Sequence, residues 1–235
     1  IPFDGARSYF SYTPEEKLLR FDALSVHSAW ISGEATGAAT LGVDPDNGQL
    51  TELVAQIQLS NLSANPQSLY PTAVDLSGAD ADFRLELNPF RITLGRLQIR
   101  DRGKTLLLKG NLLADPKGWR LAVDGHMNEI VPARLLALWP ERLVPKTRKW
   151  LVENVLDAHI RNIDLAFRRL PDTPPQTYLA FDYDDAALRF MKHMPPIENG
   201  KGHFSLSEDR MVVSMDGGQV VPPQGGVVGL AGSAL

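Results

Sequence analysis

The chain of 235 residues contains no cysteine. It therefore has no disulfide framework, no thiolate nucleophile and no cysteine ligand for a metal ion. This absence excludes those three kinds of chemistry, but it does not identify a cellular compartment.

Positive charge is also in short supply. The 24 Lys and Arg residues are outnumbered by 28 Asp and Glu residues, which gives a formal net charge of -4. Because binding to nucleic acid depends on a marked surplus of basic residues, we expect no nucleic acid partner.

Long apolar runs are missing as well. No run approaches the roughly 18 to 20 residues that a membrane-spanning helix requires, and the first residues, IPFDGARSYF, contain neither a Met nor a signal-peptide pattern. The last residues end on a strand-like alternation. We therefore expect the chain to be an excerpt of a longer protein, with any targeting or anchoring segment elsewhere.

Motifs of catalysis and metal binding are absent from the sequence. It has no HExxH, GxSxG, P-loop or GxGxxG pattern, and its histidines are dispersed, at His27, His126, His159, His193 and His203. The acidic group DYDD at 182–185 could supply paired carboxylates to a glycan hydrolase, but such pairs normally converge from separate elements. A solvated strand end is favoured there. We predict no enzymatic activity, no cofactor and no bound metal.

The dominant pattern that is present is alternation of apolar and polar residues. In ELVAQIQLSN, Leu53, Ile57 and Leu59 share one face, and in DFRLELN the residues Phe83 and Leu85 do the same. This period of two is typical of half-buried strands. The sequence therefore predicts a mainly β fold, an elongated and twisted antiparallel sheet that forms an open groove. The candidate residues lining it are Leu53, Ile57, Leu59, Phe83, Leu85, Leu87, Leu179, Phe181, Phe204 and Leu206.

One stretch follows helical rather than strand spacing. Pro132 and Pro145 suit first helical turns, where the missing N–H is tolerated, and apolar residues follow each at helical intervals. We predict two short helices near residues 131–157. The domain organisation expected is a first β meander at 1–130, a helical insertion at 131–157 and a second β meander at 158–235.

The helical insertion also carries the one basic cluster of the chain. Indole rings beside cations suit a lipid headgroup region or an anionic partner, while a solvated helix face that covers a sheet edge is the plainer alternative. The residues concerned are Arg134, Trp139, Arg142, Lys146, Arg148, Lys149 and Trp150.

An internal echo relates the two β segments. SGADADFRLELN and NGKGHFSLSED each place a glycine ahead of alternating Phe and Leu residues. Arrays of such units can be extended indefinitely. The echo predicts a fragment of a longer, repeat-built protein.

Three elements carry a resemblance to a known family: Trp139-Pro140, the segment from Pro145 to Leu151, and the segment from Pro195 to Gly200. With the strand meander around them, the chain resembles the AsmA-like family of bacterial cell-envelope proteins. It is similar to the central region of the large members, which carries a domain of unknown function.

The resemblance implies a non-enzymatic periplasmic segment of an inner-membrane-anchored protein of a Gram-negative bacterium. Repeated β units would build a hydrophobic groove for phospholipid transport to the outer membrane, in outer membrane biogenesis. The partners implied are phospholipid, the rest of the longer chain and other envelope proteins. A closed β-sandwich that binds glycan or a protein partner is the alternative, because sequence alone does not separate open from closed sheets.

Overall fold

The computed structural model describes residues 3–66, 69–189, 194–208 and 210–234 of the protein. His193, one of the five dispersed histidines, lies outside the described residues.

Strands make up most of the described chain. They are β1 (Phe3–Thr13), β2 (Leu18–Ser28), β3 (Ile31–Val43), β4 (Leu50–Ala64), β5 (Val74–Leu87), β6 (Phe90–Asp101), β7 (Lys104–Asp115), β8 (Gly118–Ile130), β9 (Val155–Arg169), β10 (Gln176–Leu188), β11 (Ile197–Ser207), β12 (Arg210–Val220), β13 (Val228–Gly229) and β14 (Ser233–Ala234).

The strands form one sheet in which sequence neighbours are hydrogen-bonded neighbours, in the order β1 to β13, and β14 also pairs with β12. The sheet is antiparallel and open. Several connections in this meander are short, since two antiparallel strands can be joined by a tight turn. The connection between β8 and β9 is the long residue range 131–154. The alternative fold, a closed β-sandwich, is therefore wrong.

The turn between β6 and β7 illustrates the local chemistry. Only Arg102 and Gly103 connect the two strands, and both have positive φ, at 48° and 79°. Two-residue hairpin loops favour this geometry because its twist matches that of the flanking strands, and glycine adopts it without steric cost.

Two helices interrupt the strands, α1 (Pro132–Leu138) and α2 (Pro145–Asn154). Each has proline in its first turn, and neither has a side-chain N-cap hydrogen bond. The prediction of a mainly β protein with one open antiparallel sheet and two short helices near 131–157 is confirmed.

The chain divides into two compact units. Unit 1 comprises Ile1–Gly125 and Ala166–Pro175, and unit 2 comprises His126–Leu165 and Gln176–Leu235. Both helices belong to unit 2. The two units are therefore described separately below.

Candidate functional site

One face of the unit 1 sheet consists of apolar residues aligned in rows across neighbouring strands. Leu53 of β4 lies opposite Leu85 of β5, which lies opposite Ile92 of β6. Directly paired residues point to the same side of a sheet. The rows, read strand by strand, are Leu41-Leu53-Leu85-Ile92-Leu112, Leu19-Ala39-Ala55-Phe83-Leu94-Gly110, Phe21-Gly37-Ile57-Ala81-Leu97-Leu108 and Leu24-Ala35-Leu59-Ala79-Ile99-Leu106. We call this surface the unit 1 apolar face.

Large side chains on the unit 1 apolar face are only partly buried. The predicted lining residues of intermediate exposure are Leu53, Ile57, Leu59, Phe83 and Leu85, and Leu87 is 40% exposed. The fully buried members of the rows are small residues, namely Ala35, Ala39, Ala55 and Ala79. The bulky side chains therefore cover the alanines beside them and keep their own outer surfaces accessible.

The opposite face of unit 1 is polar. Arg96 lies 2.8 Å from Asp82, and Arg100 forms an ion pair with Asp80. Arg84 pairs with Glu52 at 3.7 Å, also across neighbouring strands. Exposed pairs of this kind contribute about 1 kcal/mol or less each. Their effect is to keep this face hydrated, so the apolar character of unit 1 is confined to one side.

In unit 2 the same alternation leads to full burial. Leu179 lies opposite Leu206, and Phe181 lies opposite Phe204. The two phenyl rings are stacked, with centroids 4.6 Å apart and an interplanar angle of 11°. All four side chains are buried, and Phe204 is only 2% exposed. These four predicted lining residues form a core here rather than an accessible surface.

Tyr183 extends the buried face of unit 2. Its register partner is Gly202, and its hydroxyl passes over that glycine to donate a hydrogen bond to the Ser214 carbonyl oxygen at 2.7 Å. A Cβ at Gly202 would lie 2.7 Å from the Tyr183 hydroxyl and 1.9 Å from the Ser214 oxygen. Burial, with a smaller contribution from Asp216, raises the pKa of Tyr183 to about 12. The phenol is thus a neutral donor with a satisfied partner.

An apolar cavity of about 50 Å³ lies in unit 2 between the helices and the sheet. Its lining comes from α1, α2 and β9 to β12, and consists of Pro132, Leu135, Leu136, Trp150, Leu151, Val155, Ala158, Ile160, Phe181, Tyr183, Ala186, Leu188, Phe204 and Val213. The cavity is partly open to solvent, and its hydrocarbon lining suits an apolar ligand group.

Arg148 holds the two helices together. Its guanidinium donates from Nε to the Trp139 carbonyl and from Nη2 to the Leu136 carbonyl, each at 3.2 Å. Trp139 is itself buried, and its Nε1 donates to the Leu143 carbonyl at 2.6 Å. A positive charge near the start of α2 therefore satisfies carbonyl groups at the end of α1, where a cation is favourable.

The remaining members of the predicted basic cluster have different surroundings. Arg142, Lys146 and Lys149 are exposed, Arg134 is partly buried, and Trp150 lines the cavity. Lys149 lies 3.7 Å from Glu153. The structure thus brings Trp150 together with Phe181 and Phe204, which the sequence had placed in a separate set.

Polar residues of unit 2 form histidine–carboxylate pairs. Asp182 accepts hydrogen bonds from Asn162 at 2.7 Å and pairs with His203 at 2.9 Å, and these contacts lower the pKa of Asp182. The Asp164 carboxylate at 2.8 Å from His126 raises the pKa of that imidazole.

A further polar cluster joins His159, Asp184 and Asp185, whose potential metal-ligating atoms lie within 4.8 Å of one another. Arg161 already pairs with Asp184. His159 and Asp185 are exposed. The sequence favoured a solvated strand end for residues 182–185, but this group lies within β10.

Sequence reasoning missed two sets of residues. The β6 and β7 rows, for example Ile92, Leu94 and Leu108, have the same alternation as β4 and β5, and that signal could have placed them on the apolar face. The cavity residues Leu135 and Val155 could not have been found in this way, because their proximity depends on how the helices pack.

Comparison with protein-family models found no matching family, and comparisons with curated proteins and with solved structures found no match either. Neither helix in the described part of the chain is long and apolar enough to span a membrane.

Proposed function

We propose that this chain is a non-enzymatic periplasmic segment of an AsmA-like envelope protein, and that its unit 1 apolar face carries the acyl chains of phospholipids on their way to the outer membrane. The observation that carries the proposal is the contrast between large, partly accessible side chains on one face of unit 1 and ion pairs on the other. Acyl chains bind through non-directional contact with apolar surface, and no catalytic group is needed.

The dimensions of the apolar rows suit an acyl chain. A row that crosses six strands spans roughly 24 Å, since neighbouring strands lie about 4.8 Å apart. The acyl chains of one bilayer leaflet extend about 15 Å. One row therefore offers enough length for a whole chain.

The energetic requirement also suits an open face. Transferring a sixteen-carbon chain out of water is worth on the order of 10 kcal/mol, at about 0.8 kcal/mol per CH2. A surface that shields one side of the chain recovers roughly half of this. Partial burial of the acyl chain suits reversible binding, in which the lipid is released again, better than long-term storage.

The unit 2 cavity supports the proposal in a limited way. Its lining is apolar, and it includes the stacked Phe181 and Phe204. Its volume of about 50 Å³ is too small for a complete acyl chain. We therefore assign the carrying surface to unit 1 rather than to the cavity.

Native mass spectrometry of the chain purified from cells tests the proposal. We expect phospholipid to co-purify, and Phe83→Glu to reduce the lipid-bound fraction severalfold, because a carboxylate on the apolar face disfavours hydrocarbon. Arg84→Gln is the matched control, since it changes the net charge by the same amount on the opposite face of the same strand. Equal lipid retention in both variants, or lipid-free wild-type protein, would reject the proposal.

A further inference from the structure

The segment that contains both helices has a charge opposite to that of the whole chain. From Val131 to Asn154 it contains five basic and two acidic residues, whereas the complete chain has a net charge of -4. Arg148 is committed to carbonyl groups within the segment. Arg142 and Lys146 are exposed and form no ion pair with any residue in the ranges that the structure describes.

The exposed side of α2 combines these charges with apolar surface. Lys146, Lys149 and Val152 follow one another at intervals of three, which places them on one side of a helix, and all three are exposed. The opposite side contains Leu151, which is buried. We call Lys146, Lys149 and Val152 the α2 outer face.

Neighbouring residues add to the same character. Leu143 is 38% exposed. It lies between Arg142 and Val144, the residue that directly precedes α2. Val152 is 53% exposed. On a membrane surface, an exposed aliphatic side chain can enter the headgroup boundary while neighbouring lysines meet lipid phosphates.

We propose that the α2 outer face docks unit 2 on the surface of an anionic phospholipid bilayer. Charge complementarity selects this occupant, because a locally basic helix in an acidic protein is attracted to an anionic surface while the remaining surface is repelled. Both side chains of the Lys149–Glu153 pair are exposed. Lys149 can therefore leave Glu153 and bind a lipid phosphate with little loss of free energy.

This surface is separate from the unit 1 apolar face, and the inference does not rest on the proposed transport of acyl chains. Its contact is with headgroups at an interface. Phe83→Glu, which tests acyl-chain binding, should therefore leave this binding unchanged.

Vesicle flotation measures the interaction with the purified chain. We expect binding to phosphatidylcholine vesicles that contain phosphatidylglycerol, and little binding to pure phosphatidylcholine. The interaction should be lost near 1 M salt, where the screening length falls to about 3 Å.

The double variant Lys146→Gln/Lys149→Gln should lower the partition coefficient about 25-fold, at about fivefold per lysine. The matched control, Lys109→Gln/Lys201→Gln, removes the same charge from exposed strand positions and should have no effect. Val152→Ser should weaken vesicle binding severalfold without altering the dependence of that binding on salt concentration.

Three results would overturn the proposal. They are equal binding to both kinds of vesicle, an equal loss in the control double variant, and competition by inorganic phosphate at the concentration at which phosphatidylglycerol lipid binds. The last result would indicate an anion site rather than a membrane surface. Thermal unfolding of both double variants verifies that they are folded.

Discussion

The two units share a strand pattern but differ in how deeply its apolar residues are buried. Phe83 and Leu85 in unit 1 alternate with polar residues as Phe204 and Leu206 do in unit 2, yet the first pair is partly accessible and the second is buried. The difference lies in what packs on the sheet. In unit 2 the helices supply Leu135, Leu151 and other apolar side chains above the strands.

This difference indicates that burial of a β face is decided by neighbouring elements and not by the strand itself. A sheet residue loses the rest of its accessible surface only when a second layer covers it. Unit 1 contains neither helix, and within the rows of its apolar face only small residues are fully buried. Large accessible apolar patches often serve for binding, which is why the proposed contact with acyl chains is assigned to this face.

The largest expected effect is that of a charge placed on each face. Phe204→Glu should unfold unit 2, with a loss of about 4 kcal/mol or more, because a carboxylate buried without a partner is strongly unfavourable. Phe83→Glu should cost about 1 kcal/mol or less, since water can reach the carboxylate. Urea unfolding followed by circular dichroism and by tryptophan fluorescence measures both losses.

This pair has its own control in Phe204→Leu, which keeps the position apolar and should cost much less than the glutamate variant. Equal destabilisation by glutamate at positions 83 and 204 would mean that unit 1 is as closed as unit 2.

The next largest effect on stability is expected at Arg148, which connects the two helices. Arg148→Ala should destabilise unit 2 by about 1 to 3 kcal/mol, because it removes the donors that satisfy the carbonyl groups of Leu136 and Trp139. Lys149→Ala, one residue along, removes only an exposed pair and should cost less than about 0.5 kcal/mol. Chemical denaturation of the two variants should separate them, and similar losses would contradict the role given to Arg148.

A smaller gain is expected at the start of α2. Val144 has φ of 45°, in the left-handed region that a β-branched residue adopts at a cost of about 1 to 2 kcal/mol. Asparagine tolerates this conformation. Val144→Asn should increase the free energy of unfolding of unit 2 by up to about 1 kcal/mol. Its melting temperature should rise slightly as a result. Val152→Asn, in regular helix, should give no gain, and a lower melting temperature for Val144→Asn would show that the contacts of Val144 outweigh its strain.

The smallest effect is a dependence on pH. Asp164 raises the pKa of His126 in the folded state, so the stabilisation from this pair is fully present below about pH 6.5 and is lost as pH rises through the raised value. The imidazole is exposed, and we expect less than about 1 kcal/mol. Urea midpoints between pH 6 and 9 should fall more steeply for the wild type than for His126→Gln. Parallel slopes would assign the pH dependence to other groups.

The sequence predicted the elements of the fold well because each has a local cause. The alternation in β4, β5, β10 and β11 is a property of a few consecutive residues, and Pro132 and Pro145 mark helix starts directly. The sequence did not exclude a closed β-sandwich, because closure depends on contacts between distant strands.

The candidate site was less predictable for the same reason. Phe83 and Phe204 have equivalent local patterns, so sequence could not assign one to an accessible face and the other to a core. Arg148 was grouped with surface cations because its acceptors are main-chain oxygens of α1, which leave no trace in the side-chain pattern. Membership of the AsmA-like family and phospholipid as cargo stay predictions.

Photo-crosslinking in cells tests most directly whether the unit 1 apolar face meets lipid. Benzoylphenylalanine placed at position 83 or at position 84 samples opposite faces of β5 at adjacent residues, in an otherwise unchanged full-length protein. The account predicts phospholipid adducts at position 83 and few or none at position 84. Adducts of equal yield at both positions, or none at position 83 in a folded protein, would contradict it.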